Sequence, residues 1–299
     1  MEALHIDHLN KSYGDKHVLK DMTFSVQPGQ IYGFVGSNGA GKSTTMRMCV
    51  GLENPTSGTA TFDGTPFRGL SNPATTVGTL LDATWFHPGR SARAHLGYMA
   101  ALQGVSMNHV DDTLDRVGLT PAADRKVRGF SVGMLQRLGV AAALMSRPEL
   151  VILDEPTSGM DPPGIQEMRA LIRSLADHDG VTVILASHQL QEVQRVCDRV
   201  AIFNKGKVIT EGRVSDLTAS GERLRLSATP LARVLVRREA RHLRRLRGWA
   251  HAPMLVGVVG GLGEQAVDQV LVGSQTGALQ VGPHVCPVEG AAAGGGQLL

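Results

Sequence analysis

Leu4-His5-Ile6-Asp7-His8-Leu9 alternates apolar with polar residues, and Met22-Thr23-Phe24-Ser25-Val26 does the same. A period of two predicts strands with one buried face. Ile31 to Val35 is a short apolar run entered through the turn at Pro28-Gly29. Leu150-Val151-Ile152-Leu153 and Val181-Thr182-Val183-Ile184-Leu185-Ala186 are apolar throughout, the pattern of parallel strands covered on both faces. Between these strands the spacing changes. Ser43 to Leu52 reads as a helix that stops at Gly51, and Pro55-Thr56-Ser57-Gly58 then turns into a strand pair around Ala60-Thr61-Phe62. Residues 91–146 are mostly helical, with apolar positions such as Leu96, Met99 and Ala100, then Leu114 and Val117. A helix from Ile165 to Ala176 joins the two apolar strands. A strand-helix-strand series of this kind predicts an α/β domain that binds ligands at the carboxyl ends of its strands. The pattern breaks from Gly221 onward, and no internal repeat is present.

Composition bounds the reading. With 299 residues, 42% of them hydrophobic, the chain can bury a core and forms one large domain or two. No apolar run approaches the ~18 residues needed to span a bilayer. Met1-Glu2-Ala3-Leu4-His5 lacks the layout of a secretory signal, so the protein is expected in the cytosol. Cys49, Cys197 and Cys286 share no close spacing and predict reduced thiols, not a disulfide framework or a zinc site. The net charge of +3 lies at the end of the chain: from Leu231 there are seven arginines against four acidic residues. The remaining body is formally neutral, which argues against a nucleic-acid platform.

Gly36-Ser37-Asn38-Gly39-Ala40-Gly41-Lys42-Ser43-Thr44 stands between the apolar run and the first helix. A strand that ends in a glycine loop and feeds a helix aims backbone N–H groups and the positive helix end at one point, which suits a phosphate. Lys42 can reach terminal phosphates, and the Ser43 hydroxyl suits Mg²⁺. Leu150 to Leu153 ends in Asp154-Glu155. At the edge of a parallel sheet the first carboxylate can hold Mg²⁺ through water, and the second can polarise an attacking water. Phe130-Ser131-Val132-Gly133-Met134-Leu135-Gln136-Arg137 precedes an apolar helix, and Ser131 is placed to cap it.

The order of phosphate loop, Ser-x-Gly-x-x-Gln-Arg, Asp-Glu after an apolar strand, Ser158-Gly159-Met160-Asp161, and His188 after the next strand resembles the nucleotide-binding domain of ABC transporters. The match covers residues 1 to about 218. The resemblance implies a P-loop NTPase fold with a mainly parallel core sheet, an N-terminal antiparallel β subdomain and a helical signature subdomain over about 88–146. It leaves 219–299 as a small accessory region, basic, then glycine-rich and partly disordered. It further implies an ATPase, with ATP and Mg²⁺ as ligands, working as a homodimer or pseudo-dimer beneath a separate transmembrane permease at the inner face of the membrane. Carried over by position, Tyr13 would stack on adenine, and Gly36 to Thr44 would hold the phosphates. Asp154 would assist Mg²⁺, Glu155 would be the catalytic base, and His188 would sense the γ-phosphate. Ser131 and Gly133 would close in trans on ATP bound to a second subunit. Ser158 to Asp161 would link the two sites, with Asp161 among the nucleotide-binding residues.

Two departures sharpen this reading. The family's Leu-Ser-Gly-Gly-Gln is here Phe130-Ser131-Val132-Gly133-Met134, and Asp82 stands where the family places a glutamine that watches Mg²⁺. Asp82 would add negative charge near the metal or point elsewhere. Both features resemble the branch tied to antibiotic export and to bacitracin or lantibiotic resistance. Trp85 and Phe86 lie where the family grips its membrane subunit, or else they pack inside the helical region. Arg233 to Arg247 is an amphipathic basic helix touching anionic lipid, or a solvated face. Gly261-x-Gly263-x-x-Ala266 lacks the following acidic residue and strand-helix-strand unit of a dinucleotide fold. Asn204-Lys205-Gly206-Lys207 fails as a guanine-reading motif, which sets aside a GTPase. The remaining alternative is a soluble, non-transport ABC ATPase or a weakly active regulatory relative.

Overall fold

The computed structural model describes residues 2–219 apart from Thr84. The basic run Arg233 to Arg247, the Gly261 to Ala266 outline, Cys286 and almost all of the expected accessory region lie outside the described residues.

Strands β1 (Leu4–Tyr13) and β2 (Lys16–Val26) form a hairpin, and both are longer than the alternation alone marks. After β3 (Ile31–Val35) and the loop Gly36 to Gly41, helix α1 (Lys42–Cys49) begins. It ends just ahead of the expected stop at Gly51, which takes a φ of 66°. Strands β4 (Ser57–Phe62) and β5 (Thr65–Pro66) complete an antiparallel sheet of order β2-β1-β4-β5. The single-turn helix α2 (Pro73–Thr76) leads to β6 (Val77–Leu80), a strand too short for its pattern to announce. The helical stretch resolves into α3 (Ala92–Gln103), α4 (Asn108–Arg116) and α5 (Val132–Leu144). The chain continues through β7 (Leu150–Asp154), α6 (Pro162–Asp177), β8 (Thr182–Ser187) and α7 (Leu190–Val196). It then runs through β9 (Arg199–Asn204), β10 (Lys207–Arg213) and α8 (Val214–Ala219).

The second sheet has the order β10-β9-β3-β8-β7-β6 and is parallel except for its β10 edge. The all-apolar strands therefore lie in its interior: β7 and β8 are adjacent, and β3 sits between β8 and β9. Phe24 from the antiparallel sheet meets Phe34 edge-on at 5.2 Å, and Phe34 meets Phe203 at 4.9 Å. Each such buried side chain contributes about 1.5–3 kcal/mol. Small residues set the helix positions. A Cβ on Gly139 of α5 would fall 2.4 Å from Leu80 Cδ1, and one on Gly78 of β6 would fall 2.0 Å from the Ala143 carbonyl. These glycines let α5 lie directly on β6, which holds Ser131, the residue capping α5, at a fixed offset from the sheet.

Candidate functional site

The strand register assembles the site. Val35 pairs with Ser187, and Asp154 pairs with Ala186. The phosphate loop, the two carboxylates and His188 thus leave three neighbouring strands at one edge. Gly36 donates its N–H to the Ser187 carbonyl at 3.4 Å, and Ala40 donates to Ser37 at 3.0 Å, so the loop curls back on itself. Gly41, with φ of 108°, is the residue before α1 and turns the first-turn N–H groups toward the loop. Lys42 is buried, and its ammonium donates to the carbonyls of Gly36 at 2.6 Å and Ser37 at 3.4 Å. Burial pushes its pKa below the usual lysine range, while the nearby Glu155 and Asp154 carboxylates pull it back up. Ser37, Asn38 and Gly39 are exposed at the rim, as is Ser43, and Thr44 is half-buried. The segment from Asn204 to Gly206 braces this loop: Gly206 donates to the Ala40 carbonyl at 3.1 Å and accepts from Lys20 at 2.7 Å.

Asp154 ends β7 with its carboxyl half-buried, and Oδ1 has no hydrogen-bond partner in the fold. Burial raises its pKa above the usual carboxylate range; a hydrogen bond from Ser43 opposes that shift, and the charge of Glu155 adds to it. Glu155 takes a φ of 51°, a strained value for a side chain of this size. Its two oxygens face different partners. Oε1 lies 3.8 Å from the Lys42 ammonium, and Oε2 lies 2.8 Å from His188 Nδ1. Because an ionised carboxylate only accepts, Nδ1 is the ring nitrogen that carries the proton in this pair. A lysine, two carboxylates and a histidine at the mouth of an N–H-rich loop form a site that can bind a polyphosphate and polarise water beside it.

A family profile described as ABC transporter matches residues 19–158. The bacitracin transport ATP-binding protein BcrA of Bacillus licheniformis is 42% identical over 205 residues, 68% of this chain and 67% of that protein. The lantibiotic transport ATP-binding protein SrtF of Streptococcus pyogenes is 38% identical over 210 residues, 70% of this chain and 90% of that protein. The chain belongs to the ABC transporter ATP-binding family. Among solved structures, cbiO1 of Clostridium perfringens, part of the cbiONQ transporter complex, superposes with a TM-score of 0.66 at 28% identity. The superposition covers 73% of this chain and 91% of that one. A dimeric ATP-binding cassette bound to ADP and Pi shares the fold at 21% identity and a TM-score of 0.65, covering 71% of this chain and 98% of that one.

In this ABC ATPase, Ser131 caps α5 by accepting the Met134 backbone N–H at 3.3 Å. The bond is to main chain, so the Met134 departure leaves the cap intact. Val132 is half exposed and lies over Gly159, while Met160 reaches over Gly133. The altered signature therefore packs on Ser158 to Asp161 within one chain. Asp161 itself is exposed and starts α6. Tyr13 is also exposed, with its hydroxyl bonded to Glu53 and the Lys11 ammonium 4.8 Å from its ring centre. Asp82 is an exposed residue on the segment leaving β6. Trp85 and Phe86, treated together in the sequence, divide here. Phe86 is buried and packs edge-on against His95 at 4.9 Å, while Trp85 stacks on it from outside with half its surface open.

Gln136 of the Ser-x-Gly-x-x-Gln-Arg run gains a partner here, and two further polar residues, Thr157 and Glu192, escaped the sequence reading. Gln136 is buried in α5, and its amide reaches the Glu155 carbonyl at 3.5 Å. Thr157 and Glu192 are buried and bonded to one another. Of these two only Glu192 left a signal in the chain, a glutamate four residues before Val196 on the buried face of α7.

Proposed function

We propose that two copies of this chain close on two ATP molecules and hydrolyse them to drive a separate membrane permease that exports a drug or peptide antibiotic. Residues 1–218 act as the nucleotide-binding domain and 219–299 as an accessory region. Gly36 to Thr44 hold the phosphates, Tyr13 stacks on adenine, and Ser131 and Gly133 of the second copy complete each site. Asp161 lies in the segment linking the two sites. The observation that carries the chemistry is the placement of Glu155 between Lys42 and His188.

Glu155 accepts a proton from water as the water oxygen bonds to the γ-phosphorus and the bond to the bridging oxygen breaks, giving ADP and phosphate. Lys42 balances charge on the phosphates, and His188 contacts the γ-phosphate and senses its presence. The buried, unpartnered Oδ1 of Asp154 beside the Ser43 hydroxyl fits a hard divalent cation. Bound with the nucleotide, Mg²⁺ would neutralise charge on the transferred group. Asp82, on the segment after β6, would add a negative charge near the metal. Among the described residues no group of three or more His, Cys, Asp and Glu side chains is arranged to hold a metal without the phosphates.

Among the described residues no helix is long and apolar enough to cross a membrane, so the work of hydrolysis reaches a bilayer through a partner. The relatives named for bacitracin and lantibiotic transport support the export of such compounds. Glu155→Gln tests the proposal: under Mg-ATP it gives a stable dimer on size exclusion and no turnover. A strict monomer, or turnover at the parent rate, refutes the reading.

A further inference from the structure

Behind the catalytic pair the fold builds a second, fully internal connection. Glu192, in the first turn of α7, is 5% exposed, and Thr157, two residues after Glu155, is 7% exposed. The Thr157 hydroxyl donates to Glu192 Oε2, and Arg169 of α6 donates to Oε1 at 3.3 Å. Both oxygens of a buried carboxylate are thus satisfied, one by a hydroxyl and one by a cation. A buried carboxylate held this way is directional, because losing the hydroxyl leaves one oxygen unpaired and losing the arginine leaves the charge uncompensated.

The positions of its partners give this connection a consequence. Glu192 stands four residues after His188, and its own N–H bonds to the Gln189 carbonyl at 3.1 Å, so it is rooted in the turn that carries His188. Thr157 stands between Glu155 and the segment Ser158 to Asp161. The Ser158 N–H bonds to the Glu155 carbonyl at 3.0 Å, and the Met160 N–H bonds to the Thr157 carbonyl at 3.2 Å. Helix α7 is pressed onto the sheet: a Cβ on Gly33 of β3 would fall 2.4 Å from Val193 Cγ1, so only glycine permits the approach. The path from Glu155 through Thr157, Glu192 and His188 closes on Glu155 again through the 2.8 Å pair.

We infer that Thr157 and Glu192 are positioning residues which hold His188 against Glu155 and tie both to the Ser158 to Asp161 segment. The inference rests on the proposed roles of Glu155 and His188. Thr157 and Glu192 are both buried, so they act through Glu155 and His188 and not on the nucleotide. Their connection fixes where the histidine and the base stand, so its loss falls on the chemical step and not on ATP binding.

The test uses the full chain and steady-state ATP hydrolysis. Thr157→Val keeps the shape and removes only the hydroxyl; kcat falls about tenfold, the cost of one hydrogen bond to a charged group, while KM for ATP stays within about twofold. Thr157→Ser restores the hydroxyl and returns kcat to within about twofold of the parent. In a His188→Ala background Thr157→Val adds no further loss, because the residue it positions is gone. The inference is overturned if Thr157→Ser is as slow as Thr157→Val, if the losses multiply in the double variant, or if KM rises while kcat holds. Should Thr157→Val fail to fold, Thr157→Ala carries the same cycle. Glu155→Gln separates the two readings. If that variant still turns over ATP, the proposed function fails; if it is inactive while Thr157→Val matches the parent, this inference alone fails.

Discussion

Replacing Gly36 with alanine attacks the phosphate loop at its root. The added Cβ would lie 2.6 Å from the Phe203 carbonyl oxygen, 3.0 Å from Ala40 Cβ and 3.1 Å from Phe203 Cβ. The first distance is below the 3.0 Å that real Cβ atoms keep, and the obstacle is backbone of β9, which cannot rotate aside. The loop must lift from the sheet. Overpacking of this kind costs about 1–3 kcal/mol. For a domain of this size that is a fall in Tm of about 2–12 °C. Lifting the loop also misaligns the N–H groups aimed at the phosphates. Each lost hydrogen bond to a charged group costs about 1.5–3 kcal/mol, so the Kd for ATP rises about tenfold to a hundredfold.

Gly180→Ala is the matched control. Gly180 has a φ of 68° and open space where a Cβ would go, in the turn between α6 and β8. Its substitution costs about 1–2 kcal/mol of backbone strain and leaves ATP affinity unchanged. Thermal melts and titration with a fluorescent ATP analogue read both effects. Parent-like Tm and Kd for Gly36→Ala would refute the close-approach argument, as would an equal loss of affinity in Gly180→Ala.

Lys42→Ala removes the one buried ammonium of the phosphate loop and abolishes detectable ATP binding in the same titration. Phe86→Ala empties a core position and costs about 3–5 kcal/mol, whereas Trp85→Ser costs about 1 kcal/mol and releases the membrane partner on co-purification. Equal destabilisation by the two would return Trp85 to the core. For Asp154 the sign follows from its raised pKa. The folded state holds the Asp154 proton to higher pH than the unfolded state, whose value is near 3.8. The stability this lends is complete below that value and is lost as pH rises through the folded pKa. Asp154→Asn removes the ionisation, so the variant gains on the parent as pH rises toward neutral while its ATP turnover collapses. Denaturant titrations across that range check it, and a pH-independent difference between the two proteins would contradict the assignment.

Much of the site was legible because its chemistry is written in short runs. Gly36 to Thr44, Asp154-Glu155 after an apolar strand, and a serine before an apolar helix are local patterns with local causes, and each folded as its pattern implies. Strand β9 and helix α7 were not read, whereas the interior strands β3, β7 and β8 and the helices α1 and α6 were legible for the same reason, since periodicity reports which face of a segment is buried. It does not report what covers that face. Trp85 and Phe86 are adjacent aromatics with no difference between them in the chain, and only packing against His95 made one core and the other surface. Strand β6 was missed because four residues carry too little pattern.

The sequence by itself determined that the chain has a glycine-rich loop after a strand, an Asp-Glu pair at the end of another strand and a histidine after a third, and in what order. Their convergence is a property of the strand order, in which β3 is flanked by β8 and β9, both made from residues more than a hundred positions later. Only tertiary structure could set Glu155 between Lys42 and His188, press Gly36 against Phe203, and bury Thr157 against Glu192. Each of these is a contact between segments far apart in the chain, and distance along the chain places no limit on distance through the fold.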